Sequence, residues 1–161
     1  AQVVLGSVRG ERVLSMEAFL VDYYVTAIEP DEIVVEIRVP VLPTGFAGRY
    51  TRFLRTAAEH RPLVNVAVAS RRDGSGYADL RVVVGASTPV PCRVPRAEAY
   101  LTGKTVTADV VRQAADIVAT DIDPISDQRG GADFRRDMVR VVMRRTLAGA
   151  FGVVLHDEET V

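Results

Sequence analysis

Apolar and polar positions along the chain change period twice, and those changes divide it into predicted elements. Val3-Val4-Leu5 and Arg12-Val13-Leu14 flank a glycine-rich turn, Gly6 to Gly10, and predict a two-stranded hairpin. Met16 to Tyr24 is a short apolar-rich segment ending in two tyrosines. From Glu32 to Pro40, Ile33, Val35, Ile37 and Val39 alternate with Glu32, Val34, Glu36 and Arg38. That period of two predicts a strand with one buried and one mostly polar face. Pro40 to Gly48 is rich in proline and glycine and predicts a connection. Further strands are expected over Tyr50–Thr56, Val64–Arg72 and Tyr77–Gly85, with a hairpin at Asp73-Gly74-Ser75-Gly76. Consecutive strands on short links favour antiparallel pairing, because parallel pairing needs long crossovers.

After Pro89-Val90-Pro91 the period becomes helical. Pro95 to Leu101 suits a short helix with proline in its first turn. Thr107 is an expected N-cap for a helix to about Ala119, with Val110, Val111, Ala114, Ala115 and Val118 on its apolar face. A longer helix is predicted over about Ala132 to Gly149, with Phe134, Met138, Val141, Val142 and Leu147 near one side. Strands first and helices afterwards give an α+β fold, with an antiparallel sheet of about four strands and helices packed on one face.

Composition narrows the function classes. The 161 residues carry 20 basic and 21 acidic side chains, a net charge of −1, which gives no global reason to expect nucleic acid or an anionic membrane. The one cysteine, Cys92, excludes an internal disulfide and a cysteine-ligated cluster or zinc site held by this chain alone. It fits a reducing compartment, and with no long apolar run and no signal-like N-terminus the expected location is cytoplasmic.

Candidate chemistry is sparse. His60 and His156 are the only histidines, and neither spacing offers a nucleophile with an oriented base. There is no Walker loop and no GxGxxG between strand and helix. Gly130-Gly131 precedes a helix whose free N–H groups could meet an anion, but Asp133 already complements that first turn, which favours a structural start. Arginines 135, 136, 140, 144 and 145 read equally as a solvated helix face or as a polar docking surface. From the residues alone, the reading stops at an α+β domain.

Several segments, in order and at compatible spacing, resemble one family. D-Q-R-G-G-A-D-F-R-R at 127–136, followed by V-V-M-R-R-T-L at 141–147, is similar to the "D-x-R-G-x-A-x-Y-R…R-R-A-L" ending of molybdenum hydroxylase flavin subunits. G-A-S-T-P-V-P-C-R at 85–93 and A-E-A-Y-L-T-G at 97–103 resemble the stretch "G-x-x-x-x-P-x-R…A-E-x-x-L-x-G" of that family. E-I-V-V-E-I-R-V-P at 32–40 resembles its "E-I-L-x-x-I-x-I-P" strand, and G-S-V-R-G-E-R-V with Phe19 resembles the hairpin that closes the preceding FAD-binding subdomain. The family is that of the xanthine and carbon monoxide dehydrogenases.

The resemblance implies the C-terminal α+β domain of the FAD-binding medium subunit over 31–161, preceded at 1–30 by a remnant of the second FAD-binding subdomain. It implies FAD in the intact protein, with weak or no binding by this chain alone, because the glycine-rich phosphate loops of the family are not among these residues. It also implies partners: an iron–sulfur small subunit that delivers electrons and a molybdopterin large subunit where substrate is hydroxylated. Whether the chain is a fragment or a split subunit stays open; as part of an oxidoreductase it is expected to be inactive when isolated. By the resemblance, Glu32, Val34, Tyr50 and Arg52 are expected to approach the flavin. Arg52 stands where the family commonly has lysine, and a guanidinium does not replace an ammonium in shape or hydration. The alternative is an interaction module that docks partner subunits and has no flavin role of its own.

Overall fold

A computed structural model of the chain describes residues 1–74 and 76–155. The predicted histidine position His156 and the hairpin residue Ser75 lie outside the described residues. The chain forms two compact units, Ala1–Thr44 and Gly45–Val161. This division falls later than the one at residues 30 and 31 read from the sequence, because the strand after Pro30 pairs within the first unit.

In the first unit, β1 (Gln2–Ser7) and β2 (Gly10–Ser15) form the expected hairpin, with Val3 opposite Leu14 and Ser7 opposite Gly10. A one-turn helix, α1 (Met16–Phe19), follows, its first turn capped by the Ser15 hydroxyl, which accepts from Ala18 N–H at 3.1 Å. Two short strands, β3 (Leu20–Asp22) and β4 (Val25–Thr26), pair with each other. β5 (Ile33–Arg38) pairs antiparallel with β1, giving a sheet of order β2-β1-β5. Val3, Val4 and Leu5 on the central strand are buried.

The expected buried face of β5 is not there. Ile33, Val35 and Ile37 are 66%, 51% and 59% exposed, because β5 has β1 as its one ladder partner and no other described element of this unit covers it. Its sheet also differs from expectation: β5 does not join the strands that follow.

The second unit holds those strands in a separate antiparallel sheet. β6 (Phe46–Phe53), β7 (Val64–Asp73), β8 (Gly76–Gly85) and β9 (Cys92–Arg93) lie in that order. β6 starts inside the stretch predicted as a connection, since Phe46, Ala47 and Gly48 find ladder partners in Arg71, Ser70 and Ala69. Three helices follow, α2 (Pro95–Leu101), α3 (Ala108–Asp121) and α4 (Ala132–Phe151). Val64, Val66 and Val68 of β7 and Leu80, Val82 and Val84 of β8 bury one face of the sheet against Val111, Ala115, Val139, Met143 and Leu147 of the helices. Each fully buried leucine or valine contributes about 1.5–3 kcal/mol relative to exposure, so this layer carries the unit's stability.

The helices begin where the sequence placed them. Thr107 accepts from Val110 N–H at 3.3 Å, and Pro95 opens α2. α4 ends at Gly152, whose left-handed φ of 68° lets Val153 N–H reach back to the Ala148 carbonyl at 2.9 Å. The buried face of α4 is rotated from the predicted one. Arg135, Val139, Val142, Met143, Thr146 and Leu147 are inside, whereas Phe134 is 48% exposed.

Polar side chains fasten the helices to the sheet. Glu98, on α2, accepts from Val82 N–H at 2.9 Å, a group that the two-residue β9 does not reach, and it holds Arg93 at 2.6 Å. Asp116 on α3 receives Arg140 at 2.9 Å and Arg144 at 3.3 Å from α4. Arg136 donates to the Ala119 and Ile122 carbonyls, satisfying the C-terminus of α3. These arginines thus have partners within the fold, although Arg140, Arg144 and Asp116 stay partly exposed. Arg145 is exposed. Among the described residues, no helix is long and apolar enough to cross a membrane.

Candidate functional site

One face of the second sheet is packed by helices; the other carries the residues that strand alternation leaves over. In β7 these are Asn65, Ala67 and Ala69, all small beside the valines on the packed face. Ladder register sorts them into three rows. Gly48 is opposite Ala69, which is opposite Arg81; Tyr50 is opposite Ala67, then Val83; Arg52 is opposite Asn65, then Gly85. In the last row Gly85 lies close against Asn65, since a Cβ there would meet the Asn65 Oδ1 at 2.5 Å and the amide would have to move.

The small residues leave a shallow hollow of about 390 Å³ lined by Gly48, Tyr50, Ala67, Ala69, Arg81 and Val83. Tyr50 is 60% exposed and forms one wall. Arg52 is two residues further along the same strand, on the same face and also exposed. A floor of small residues, an exposed phenol ring and arginines nearby make a surface suited to a planar conjugated ring able to take up negative charge.

The other two expected site residues lie in the first unit. Glu32 precedes β5, and its side chain is 4% exposed. Arg12 grips the carboxylate with two donors, at 2.6 and 2.8 Å, and Glu29 N–H donates to it at 2.7 Å. The hydrogen bond from Arg12, aided by that backbone donor, lowers the Glu32 pKa to about 2. Glu32 is therefore ionised at neutral pH, an acceptor only. Val34 is on β5 opposite Leu5 and is 38% exposed.

Sequence reasoning missed Ala67, Ala69, Arg81 and Val83. Their signal was the alternate positions of β7 and β8, but which of these face Tyr50 depends on register, and register is not visible in any one strand.

The quoted motifs serve another purpose. Asp127 accepts from Arg129 N–H at 2.8 Å and Gly130 N–H at 3.2 Å, closing the turn before α4. Arg135 then pairs with Asp127 at 2.7 Å and donates to the Leu63 and Ala86 carbonyls at 3.1 and 2.8 Å. Burial pushes the Asp127 carboxyl up, but Arg135 and the two backbone donors outweigh it and leave it below the usual carboxylate value. The first N–H of α4, at Ala132, is taken by the Ser126 hydroxyl at 2.9 Å.

Comparison with known proteins gives a consistent result. The family described as "CO dehydrogenase flavoprotein C-terminal domain" matches residues 49–150. The nicotine 6-hydroxylase medium subunit of Paenarthrobacter nicotinovorans is 32% identical over 148 residues, covering 92% of this chain and 51% of its own length. The carbon monoxide dehydrogenase medium chain of Hydrogenophaga pseudoflava is 29% identical over 151 residues, covering 94% and 52%. A solved carbon monoxide dehydrogenase from Hydrogenophaga pseudoflava, lacking the Mo-pyranopterin moiety of the molybdenum cofactor, superposes with a TM-score of 0.84 at 30% identity, over 94% of this chain and 52% of that one. The chain thus spans about half the length of the curated relatives it matches.

Proposed function

Because this chain belongs to the CO dehydrogenase flavoprotein C-terminal domain family, we propose that it is the flavin-covering part of the FAD-binding medium subunit of a molybdenum hydroxylase. The observation that carries the reading is the hollow on the helix-free sheet face, with Tyr50 as its wall and Gly48, Ala67 and Ala69 as its floor. A side chain larger than a methyl at those three positions would fill it, and none is present. The surface fits a flat ring system.

Bound FAD would supply the redox chemistry, accepting electrons from iron–sulfur clusters and releasing them to an acceptor. The residues of this chain would hold and tune it. Tyr50 offers an aromatic surface to the ring, and Arg52 places a permanent positive charge where negative charge develops on reduction. Glu32 and Val34 are proposed contacts on the strength of the resemblance, with Glu32 acting as a fixed ionised acceptor because Arg12 keeps it charged. The first unit would be the end of the preceding FAD-binding subdomain. Partners would be an iron–sulfur small subunit and a molybdopterin large subunit, in a reducing cytoplasm suited to the free Cys92. The competing reading, a docking module without flavin, drew on the arginines of α4, and Arg136, Arg140 and Arg144 are engaged within the fold.

The test is flavin content. The complete gene product, including any coding sequence upstream of Ala1, should take up FAD and turn yellow, and Tyr50→Ala should weaken that uptake. A gene product that stays colourless after reconstitution with FAD would end this reading. Unchanged uptake and reduction in Tyr50 and Arg52 variants, with assembly lost on reversing Arg140 and Arg144, would favour the docking module.

A further inference from the structure

The hollow beside Tyr50 has a second cation at its rim, on a different strand from Arg52. Arg81 ends the row Gly48–Ala69–Arg81, one row to one side of Tyr50–Ala67–Val83, and Arg52 begins the row on the other side. Rows on one face are two residues apart, about 7 Å along the strand, so the two arginine positions bracket the aromatic row.

Two arginines on this sheet have carboxylate partners close by. Arg71 is paired with Asp79 at 2.8 Å, and Arg93 with Glu98 at 2.6 Å. Arg81 has no ion-pair partner among the described residues, and its guanidinium carbon lies 6.0 Å from the centroid of the Phe46 ring.

The backbone explains the difference. Between the pairs Ala69↔Arg81 and Arg71↔Ala78 the register shifts, so β8 carries an extra residue there. This bulge puts Asp79 in the left-handed region, with a φ of 52°, and its carboxylate goes to Arg71. A regular strand would place residue 79 on the same face as Arg81, two positions away and within reach of it. With the bulge, the Asp79 carboxylate is engaged by Arg71 and not by Arg81.

We propose that Arg81 is a cofactor-contact residue that meets the flavin from the side of Tyr50 opposite Arg52 and favours its reduced form. This rests on the reading that the hollow covers FAD. Two electrons and one proton added to the neutral oxidised ring leave one negative charge on it. An uncompensated cation over a low-dielectric floor stabilises that charge more than it stabilises the neutral ring.

The experiment is potentiometry of the FAD-loaded complete gene product, with dithionite as reductant and a reference dye, for wild type, R81Q and R81K. R81Q should lose about tenfold of the preference for reduced over oxidised flavin, which lowers the two-electron midpoint potential by about 30 mV. R81K, which keeps the charge, should stay closer to wild type. Raising the ionic strength should shrink the gap between wild type and R81Q. If R81Q melts early and cannot be loaded, the R81K potential and the salt response of wild type carry the test; both unchanged from a charge-free expectation would overturn the proposal. R81Q loaded with flavin at the wild-type potential overturns it while leaving the flavin reading intact. No FAD uptake by wild type removes both.

Discussion

Arg135 and Asp127 form an ion pair at 2.7 Å in which the arginine side chain is 1% exposed and the aspartate 23%. The same guanidinium donates to the carbonyls of Leu63, Ala86 and Gly130. One side chain thus ties the start of α4 to the segments before β7 and after β8. A lysine could neutralise Asp127 but could not reach several carbonyls from a planar fork.

Replacing Arg135 with methionine should cost about 3–5 kcal/mol of stability, because it removes the charge partner of Asp127 and a donor to the Leu63 and Ala86 carbonyls. Arg135→Lys should recover only part of the loss. Urea unfolding of both variants checks this, and a cost under about 1 kcal/mol for methionine would show that water replaces the guanidinium there.

Glu32 makes the first unit sensitive to acid. Its folded pKa of about 2 is below the ordinary 4.5, held there by Arg12 and the Glu29 N–H. A depressed carboxylate contributes stability that is complete above the ordinary value and fades as pH falls through the folded one. Amides of β1 and β5 should therefore lose protection between pH 4.5 and about 2. Glu32→Gln should flatten that limb of the profile, as followed by hydrogen exchange against pH. A profile identical to wild type would mean that other groups govern the acid response.

Glu98→Ala should destabilise the second unit by about 1–3 kcal/mol, since the Val82 N–H is left buried without an acceptor. Glu98→Gln keeps a carbonyl oxygen for that N–H and should cost less. Thermal melts of the two variants side by side give the order directly.

Tyr50→Ala and Arg52→Gln should change stability by no more than about 0.5 kcal/mol, because both side chains stand exposed on the helix-free face. Their effect should appear in flavin binding by the complete gene product. The present chain alone should bind FAD weakly or not at all, since pyrophosphate contacts supply much of a dinucleotide's affinity and no glycine-rich phosphate loop occurs in it. Titration with FAD, followed by flavin fluorescence, tests this; a stoichiometric complex would contradict it.

Much of the second unit was legible because its signals are local. Thr107 caps, Pro95 opens a helix, and the valines of β7 alternate; each needs only its neighbours. The face of α4 was misjudged because Arg135 is an inward-facing arginine, and a charged residue buried by long-range carbonyls has no apolar signature. β5 misled in the opposite way. Its alternation is real, but burial requires a covering layer, and the strand's own residues cannot say whether one is present. The motifs that carried the resemblance proved to be fasteners, Asp127 with Arg135 and Glu98 with Val82. They identify the fold's family well and its chemistry poorly. Arg81 was invisible because its meaning depends on a bulge and on where Asp79 goes.

The short strand β9 has a consequence for how the second sheet meets other chains. Val84 and Val83 are matched by Cys92 and Arg93, the Val82 N–H by Glu98, its carbonyl by Val94, and the Tyr77 carbonyl by Gly103. The outer border of β8 is thus largely spent, and a stray strand finds few groups there to template on. β6 has one ladder partner in its sheet, so the capacity to recruit a further strand lies on that side, along the strand that carries Tyr50 and Arg52. Resistance to edge-to-edge aggregation is built into one border of this sheet, and at the other it depends on what β6 meets.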